Sequence, residues 1–275
     1  MSDRTAQAIH LATRDPKARL TKSWMVGSDL CGWRGWYDLW DPKPFRMTEP
    51  VAFGKAVDAG VELIISAARS GQMPDLIRSM AAAKAAVEDL DIELDWREVD
   101  VALFAFQVDV LPKFDWSYCE TQARFSLDIE GVGPVEGHPD IVLRDGTVLD
   151  VKTAARAKPE NAAATAYLEL GFYALMVEAM IDEPVPAVGY ITWTRTKAPR
   201  WQIVTAPVTD TMRRISLNLA AGKARMRKAD ADLNRQSAGP ENWVMTNGPR
   251  YAGLCNDCAH APWNGGGCVI ADREE

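Results

Sequence analysis

The amino-acid order predicts an α/β fold with a mixed central sheet flanked by helices. Three observations carry this. A helix-period stretch runs over 48–70. The hydrophobic period falls to two from Cys119 onward. Two short apolar runs, 139–144 and 147–153, then flank Asp145-Gly146, and helical and strand patterns alternate after them. Strands segregated beside helices bury one sheet face against a helix stripe.

In the first stretch Val57, Val61, Ile64, Ile65 and Ala68 recur at helical spacing. Residues 74–90, rich in alanine, read as a second helix, and an apolar run at 99–111 ends at Pro112. From Cys119 to Ile129 mostly apolar side chains (Thr121 apart) alternate with Glu120, Gln122, Arg124, Ser126 and Asp128, the pattern of one half-buried strand. Gly131 to Gly137 reads as a loop. The two runs around Asp145-Gly146 are strands, 161–182 is a helix stopped before Pro184, and 187–194 and 201–206 are strands. A long helix is expected over 208–233, followed by an irregular tail from 245.

With 275 residues, 47% hydrophobic and 25% charged, the composition is globular, and one domain over 1–275 is expected. No run approaches the ~18 apolar residues of a membrane helix. Met1 to Leu20 is polar and charged, which does not read as a secretory signal, so a cytoplasmic protein without a membrane partner is expected. A formal net charge of −7 argues against a surface that grips nucleic acid everywhere. It leaves room for a local track. Between Arg195 and Lys228 lie nine basic residues and a single acid, Asp210. Such a track suits a polyanion, and a solvated helix face explains it equally well.

The segment from Gly137 to Thr153 holds the candidate chemistry. Arg144-Asp145-Gly146 fits a three-residue hairpin loop, a type I turn followed by left-handed glycine. That pairs Leu143 with Thr147, and therefore Asp140 with Asp150, on one face with Lys152. Ile141, Leu143, Leu149 and Val151 fall on the other face. Two converging carboxylates repel unless a cation lies between them, and oxygen donors select Mg²⁺ or Mn²⁺. Such an ion activates water and stabilises charge on a phosphodiester under attack. A two-residue Asp-Gly turn would instead separate the aspartates, leaving a solvated surface hairpin.

The spacing Gly-x-x-Asp140, nine residues, Asp150-x-Lys152 resembles the active-site motif of the PD-(D/E)xK nucleases. Phe53-Gly-Lys-Ala-Val-Asp58 resembles the "FGxxVH" helix of their RecB-like members, and Glu169-Leu-Gly-Phe-Tyr173 their "QxxxY" helix. Glu120 stands where the family often carries a glutamate on the first core strand. The resemblance implies a restriction-endonuclease-like core over about 48–235. It implies Asp58, Asp140, Asp150 and Val151 as metal ligands, and Asp140, Asp150, Lys152, Glu120, Glu169 and Tyr173 as catalytic residues. Two departures stand out: the family's histidine is Asp58 here and its glutamine is Glu169.

Of five cysteines, Cys119 falls on an apolar strand face and reads as core. Cys255, Cys258 and Cys268 cluster near the C-terminus, and Cys31 lies far upstream. Four thiolates hold either a 4Fe–4S cluster or structural zinc; His260 is an alternative ligand. Ser28 to Tyr37 is similar to the first-cysteine segment of cluster-bearing RecB-like nucleases, including the CRISPR-associated Cas-four type and phage-type exonucleases. The resemblance thus implies a 4Fe–4S cluster on Cys31, Cys255, Cys258 and Cys268, joining segments of about 22–40 and 245–270 around the core. It also implies a DNA exonuclease acting from single-stranded ends, with recombination or CRISPR-adaptation proteins as partners. Arg213, Arg214, Arg225 and Arg227 are the candidate DNA contacts, and Trp33, Trp36, Trp193 and Trp201 are either base-stacking or core residues. The alternative is a nucleic-acid-binding scaffold that keeps the cluster and has lost cleavage.

Overall fold

A computed structural model describes residues 19–31, 34, 35, 37, 38 and 47–234, together with Cys255, Cys258, His260, Ala261 and Cys268. Trp33, Trp36 and most of the tail expected from 245 lie outside these residues. The chain forms two compact units. One comprises Met47–Arg124 and His138–Arg213; the other comprises Met1–Arg46, Phe125–Gly137 and Arg214–Glu275. Among the described residues no helix is long and apolar enough to cross a membrane.

The second unit contains β1 (Leu20–Thr21), α1 (Lys22–Leu30), β3 (Phe125–Ile129) and β4 (Gly133–Gly137). Its sheet runs β1-β4-β3, with β1 parallel to β4 and β3 antiparallel to it. Arg19 bonds Glu136 at 2.7 Å and fastens the sheet edge.

The first unit begins with α2 (Glu49–Arg69), α3 (Leu76–Ala85) and α4 (Trp96–Ala105). Asp75 and Asp95 cap α3 and α4 by accepting from the backbone N–H groups that the first turn leaves without partners. A five-stranded sheet follows in the order β2-β5-β6-β7-β8, with β2 (Glu120–Thr121), β5 (Ile141–Val142), β6 (Val148–Ala154), β7 (Ala187–Thr194) and β8 (Arg200–Pro207). Only the β6–β7 pair is parallel, and α5 (Phe172–Ile181) lies in the crossover between those strands. The helix α6 (Asp210–Asn234) starts in this unit and from Arg214 onward belongs to the other.

The core forms between α2, α4 and the sheet face carrying Ile141, Leu149, Val151, Ile191 and Trp193. Trp193 is fully buried and Trp201 nearly so, with ring centroids 5.5 Å apart. These two tryptophans are core rather than base-stacking residues. Cys119 is buried in the same cluster, and burial pushes its thiol up.

Arg195, just past β7, ties three elements together. Its guanidinium meets Glu49 at 2.9 and 3.0 Å and Glu98 at 2.8 and 3.0 Å, and lies 4.1 Å above the Phe53 ring. The two glutamates hold its pKa above the usual arginine range. Arg195→Ala leaves both carboxylates without this shared cation and should cost about 2–4 kcal/mol. Urea unfolding should show a lower midpoint at unchanged slope, with Arg195→Lys recovering only part of it.

Three sequence expectations are corrected. The single strand over 119–129 is two strands in two different sheets. Gln122 adopts a left-handed backbone (φ 51°), which ends the ladder after Thr121. The expected loop at Gly131–Gly137 is largely strand β4, paired with β3 from Phe125↔Gly137 to Ile129↔Gly133. The expected continuous helix at 161–182 is a 3-10 turn (Ala163–Thr165), a π turn (Tyr167–Gly171) and then α5. Ala166 leaves the helical region (φ −82°, ψ 56°), and its carbonyl accepts from both Glu169 and Gly171.

Candidate active site

The site forms where β5 and β6 part. Leu143 N–H donates to Thr147 O at 2.9 Å, and Gly146 takes a left-handed φ of 84°, as a three-residue loop requires. The observed pairs are Ile141↔Leu149 and Val142↔Val148; the same parity carried one residue further would set Asp140 opposite Asp150, but the paired strand stops at Ile141. Asp140 has left the strand, and its Oδ2 accepts from Val151 N–H at 2.8 Å, in place of a ladder partner. Ile141, Leu149 and Val151 are buried in the core and Leu143 packs against it, as the pattern predicts.

Asp150 is fully buried, and the Lys152 ammonium lies 2.5 Å from its Oδ2. The same ammonium is 3.9 Å from Glu169 Oε1. Glu169 comes from the π turn, a helix irregularity that often marks functional positions. Its Oε2 accepts from the Tyr190 hydroxyl at 2.5 Å. Tyr190 is the direct neighbour of Asp150 in the parallel β6–β7 register. Burial, followed by the surrounding carboxylates, pushes the Tyr173 and Tyr190 hydroxyls above the usual phenol range, so both remain protonated donors.

Asp58 reaches the site from α2. Gly54, one turn earlier, lets that helix approach β6: an added Cβ would stand 3.0 Å from Thr153 Oγ1. Asp58 lines a narrow cleft with Glu62, Thr121, Gln122, Asp140 and Val151. Burial, then Asp140, then Asp150 push its carboxyl up to about 7, against the pull of Lys152. Glu120 pairs with Val142 and is exposed; Thr121 and Gln122 are the residues from this side of the sheet that line the cleft. The described residues contain no group of three or more His, Cys, Asp or Glu side chains spaced to hold a metal ion. The Val151 N–H lies against Asp140 Oδ2 and the Lys152 ammonium against Asp150 Oδ2.

The four candidate DNA-binding arginines differ in role. Arg214 and Arg225 are exposed. Arg213 is spent on Glu178, at 2.7 Å, and on the carbonyls of Val185 and Val208. Arg227 is buried, donates to the Arg19 carbonyl and stacks over Trp24.

Cys31, Cys255, Cys258 and Cys268 all belong to the second unit, and none forms a disulfide. Cys258 N–H donates to Cys255 O, and Cys268 N–H to His260 O. His260 Nε2 lies 2.8 Å from Asp38 Oδ1, and its ring stacks on Tyr37.

Two aspartates and a lysine thus lie where β5 and β6 part, and α2 brings a further carboxylate. The sequence profile of the PD-(D/E)XK nuclease superfamily matches residues 34–263, and the chain belongs to this family. Its members typically use divalent metals such as Mg²⁺ and take DNA as substrate. The solved structure of a candidate exonuclease from Eubacterium rectale is similar, with a TM-score of 0.57 and 12% identity over 83% of this chain and 86% of that one. A second solved structure, that of SSO0001, overlaps 84% of this chain and 90% of that one at 13% identity, with a TM-score of 0.36. No curated protein sequence matches the chain.

Glu62, Thr121, Gln122 and Tyr190 escaped the sequence reading of the site. Glu62 is one turn from Asp58, a signal that was present but shared with many surface glutamates. Tyr190 could be found only by knowing the β6–β7 register.

Proposed function

We propose that the chain is a RecB-like, metal-dependent DNA exonuclease that hydrolyses phosphodiester bonds from single-stranded ends with Mg²⁺ or Mn²⁺. The observation that supports this most is the meeting of Asp140, Asp150 and Lys152 at the β5–β6 fork, with Asp58 entering from α2. Asp58, Asp140, Asp150 and the Val151 carbonyl supply the hard oxygen donors that suit such an ion. When bound, the ion supplies activated water and charge stabilisation. Lys152 orients that water or stabilises the charged phosphorus centre. Tyr173 and Glu169 border the reacting group, and Glu120 stays at the margin of the cleft.

End-labelled single- and double-stranded DNA, incubated with and without Mn²⁺, tests this reading. Mn²⁺-dependent shortening from single-stranded ends is expected. A catalytically impaired nucleic-acid-binding scaffold is the second reading, favoured by the close Lys152–Asp150 pair. Binding without cleavage in any divalent metal would select it.

On this proposal DNA contacts on α6 come from Arg214 and Arg225, the exposed pair. Replacing both with alanine should flatten the salt dependence of single-strand binding by about 1.4 in the log–log slope, because each phosphate contact releases counterions. An unchanged slope would place the DNA elsewhere.

We assign a 4Fe–4S cluster to Cys31, Cys255, Cys258 and Cys268, joining the N- and C-terminal segments of a single RecB-like nuclease domain in a cytoplasmic protein. The sharing of one compact unit by all four thiols supports it. Anaerobically purified protein should be brown and contain about four irons per chain; colourless protein with one zinc would replace the cluster by a tetrahedral zinc site. Recombination or CRISPR-adaptation proteins are the proposed partners.

A further inference from the structure

Glu169 is fixed from behind. Tyr190 holds its Oε2 at 2.5 Å. The Tyr190 ring is itself located by the Lys158 ammonium, 3.9 Å from its centroid. Lys158 is pinned in turn by Gln202 of β8, which accepts from its N–H at 2.7 Å and donates to its carbonyl at 2.8 Å. The chain after β6 is thereby clamped to β8, and the phenol is aimed at one carboxylate oxygen. The other oxygen of Glu169 faces Lys152.

Lys152 thus stands between two carboxylates, Asp150 at 2.5 Å and Glu169 at 3.9 Å. A divalent cation taking Asp150 Oδ2 and an ammonium at the same oxygen exclude each other by charge and volume. The lysine therefore needs a second anion within reach. A move of about 1 Å brings it to the ~2.8 Å of a charge-assisted bond with Glu169. A neutral glutamine at position 169 would offer the tyrosine the same acceptor but no charge to the lysine.

We propose that Tyr190 is a positioning residue, holding Glu169 as the alternative partner of Lys152 so that the lysine releases Asp150 to an incoming divalent cation. This rests on the metal-dependent reading of the same site. Glu169 here is a docking point for the lysine rather than a metal ligand.

Calorimetric titration with Mn²⁺, without DNA, tests it on the full chain. Tyr190→Phe removes one oxygen and should weaken Mn²⁺ binding about 5- to 10-fold, the worth of roughly one charge-linked hydrogen bond. Glu169→Gln should do the same by removing the lysine's second anion. Lys152→Ala should bind Mn²⁺ more tightly than the wild type, because no ammonium competes for Asp150. The deciding comparison is Tyr190→Phe in the Lys152→Ala background, where it should change affinity less than twofold. Equal weakening in both backgrounds would mean that Tyr190 only supports the fold, and would overturn the proposal. So would wild-type affinity in either Tyr190→Phe or Glu169→Gln. Absence of Mn²⁺ binding by the wild type would overturn the metal reading as well, whereas wild-type binding with inert variants would overturn this inference alone.

Discussion

Asp150→Asn is expected to lower DNA cleavage by about 10³-fold or more, which corresponds to roughly 4 kcal/mol of transition-state stabilisation. The substitution preserves shape at a fully buried position and removes one negative charge. In the proposed mechanism that charge holds the cation that activates water and stabilises the phosphorane-like charge. Affinity for single-stranded DNA in the absence of divalent metal should stay within twofold of the wild type, because the proposed contacts lie on α6. The folded state should survive: Lys152, one-third exposed, loses its closest carboxylate but keeps Glu169 nearby. Two measurements separate chemistry from damage. Mn²⁺ should raise the melting temperature of the wild type and leave that of Asp150→Asn unmoved, while circular dichroism of the two proteins coincides. If the variant cleaved at more than a tenth of the wild-type rate, Asp150 would not be a metal ligand.

The hairpin that makes this experiment meaningful was legible because turn chemistry is local. Arg144-Asp145-Gly146 specifies both loop length and a left-handed glycine, and those fix which residues face each other. The core face followed from the same parity. Where the expectation failed, the deciding event was a backbone state that leaves no mark in the residue types. Gln122 turns left-handed, so an alternation of mostly apolar residues from 119 to 129 serves two sheets. Ala166 leaves the helix within an alanine-rich stretch whose propensity favours continuity. Gly131 to Gly137 carries loop composition, yet hydrogen bonds to β3 make most of it a strand. The basic track shows a different limit. Charge counts cannot reveal that Arg213 fastens Glu178 and that Arg227 is buried against Trp24. Tyr190 needed the parallel register of β6 with β7, a long-range pairing that no local pattern encodes.

Asp58 should make the metal-free protein less stable as pH rises from 4 to 8. Burial, then Asp140 and Asp150, push its carboxyl up to about 7 in the fold, well above the ordinary aspartate value of about 3.9. Because the folded-state pKa is the higher one, the fold binds the proton more tightly than the unfolded chain does. That preference is fully present below about 3.9, shrinks as the unfolded chain ionises, and is gone above the folded value. The loss across this window is on the order of 2–4 kcal/mol, and it is the same energy that a divalent cation recovers by neutralising the carboxylates. Urea unfolding of chelator-treated protein should therefore show a midpoint that falls between pH 5 and 8, and Mn²⁺ should restore most of it at pH 8. Asp58→Asn cannot ionise. It should flatten the pH dependence, raise the metal-free midpoint at pH 8 and reduce the stabilisation by Mn²⁺. Asp58→His places imidazole at the same point and should shift the metal preference from Mg²⁺ toward Mn²⁺, the better partner for nitrogen. A wild-type midpoint that is flat with pH, together with an unaltered metal response in both variants, would remove Asp58 from the site and leave the cation to Asp140, Asp150 and the Val151 carbonyl.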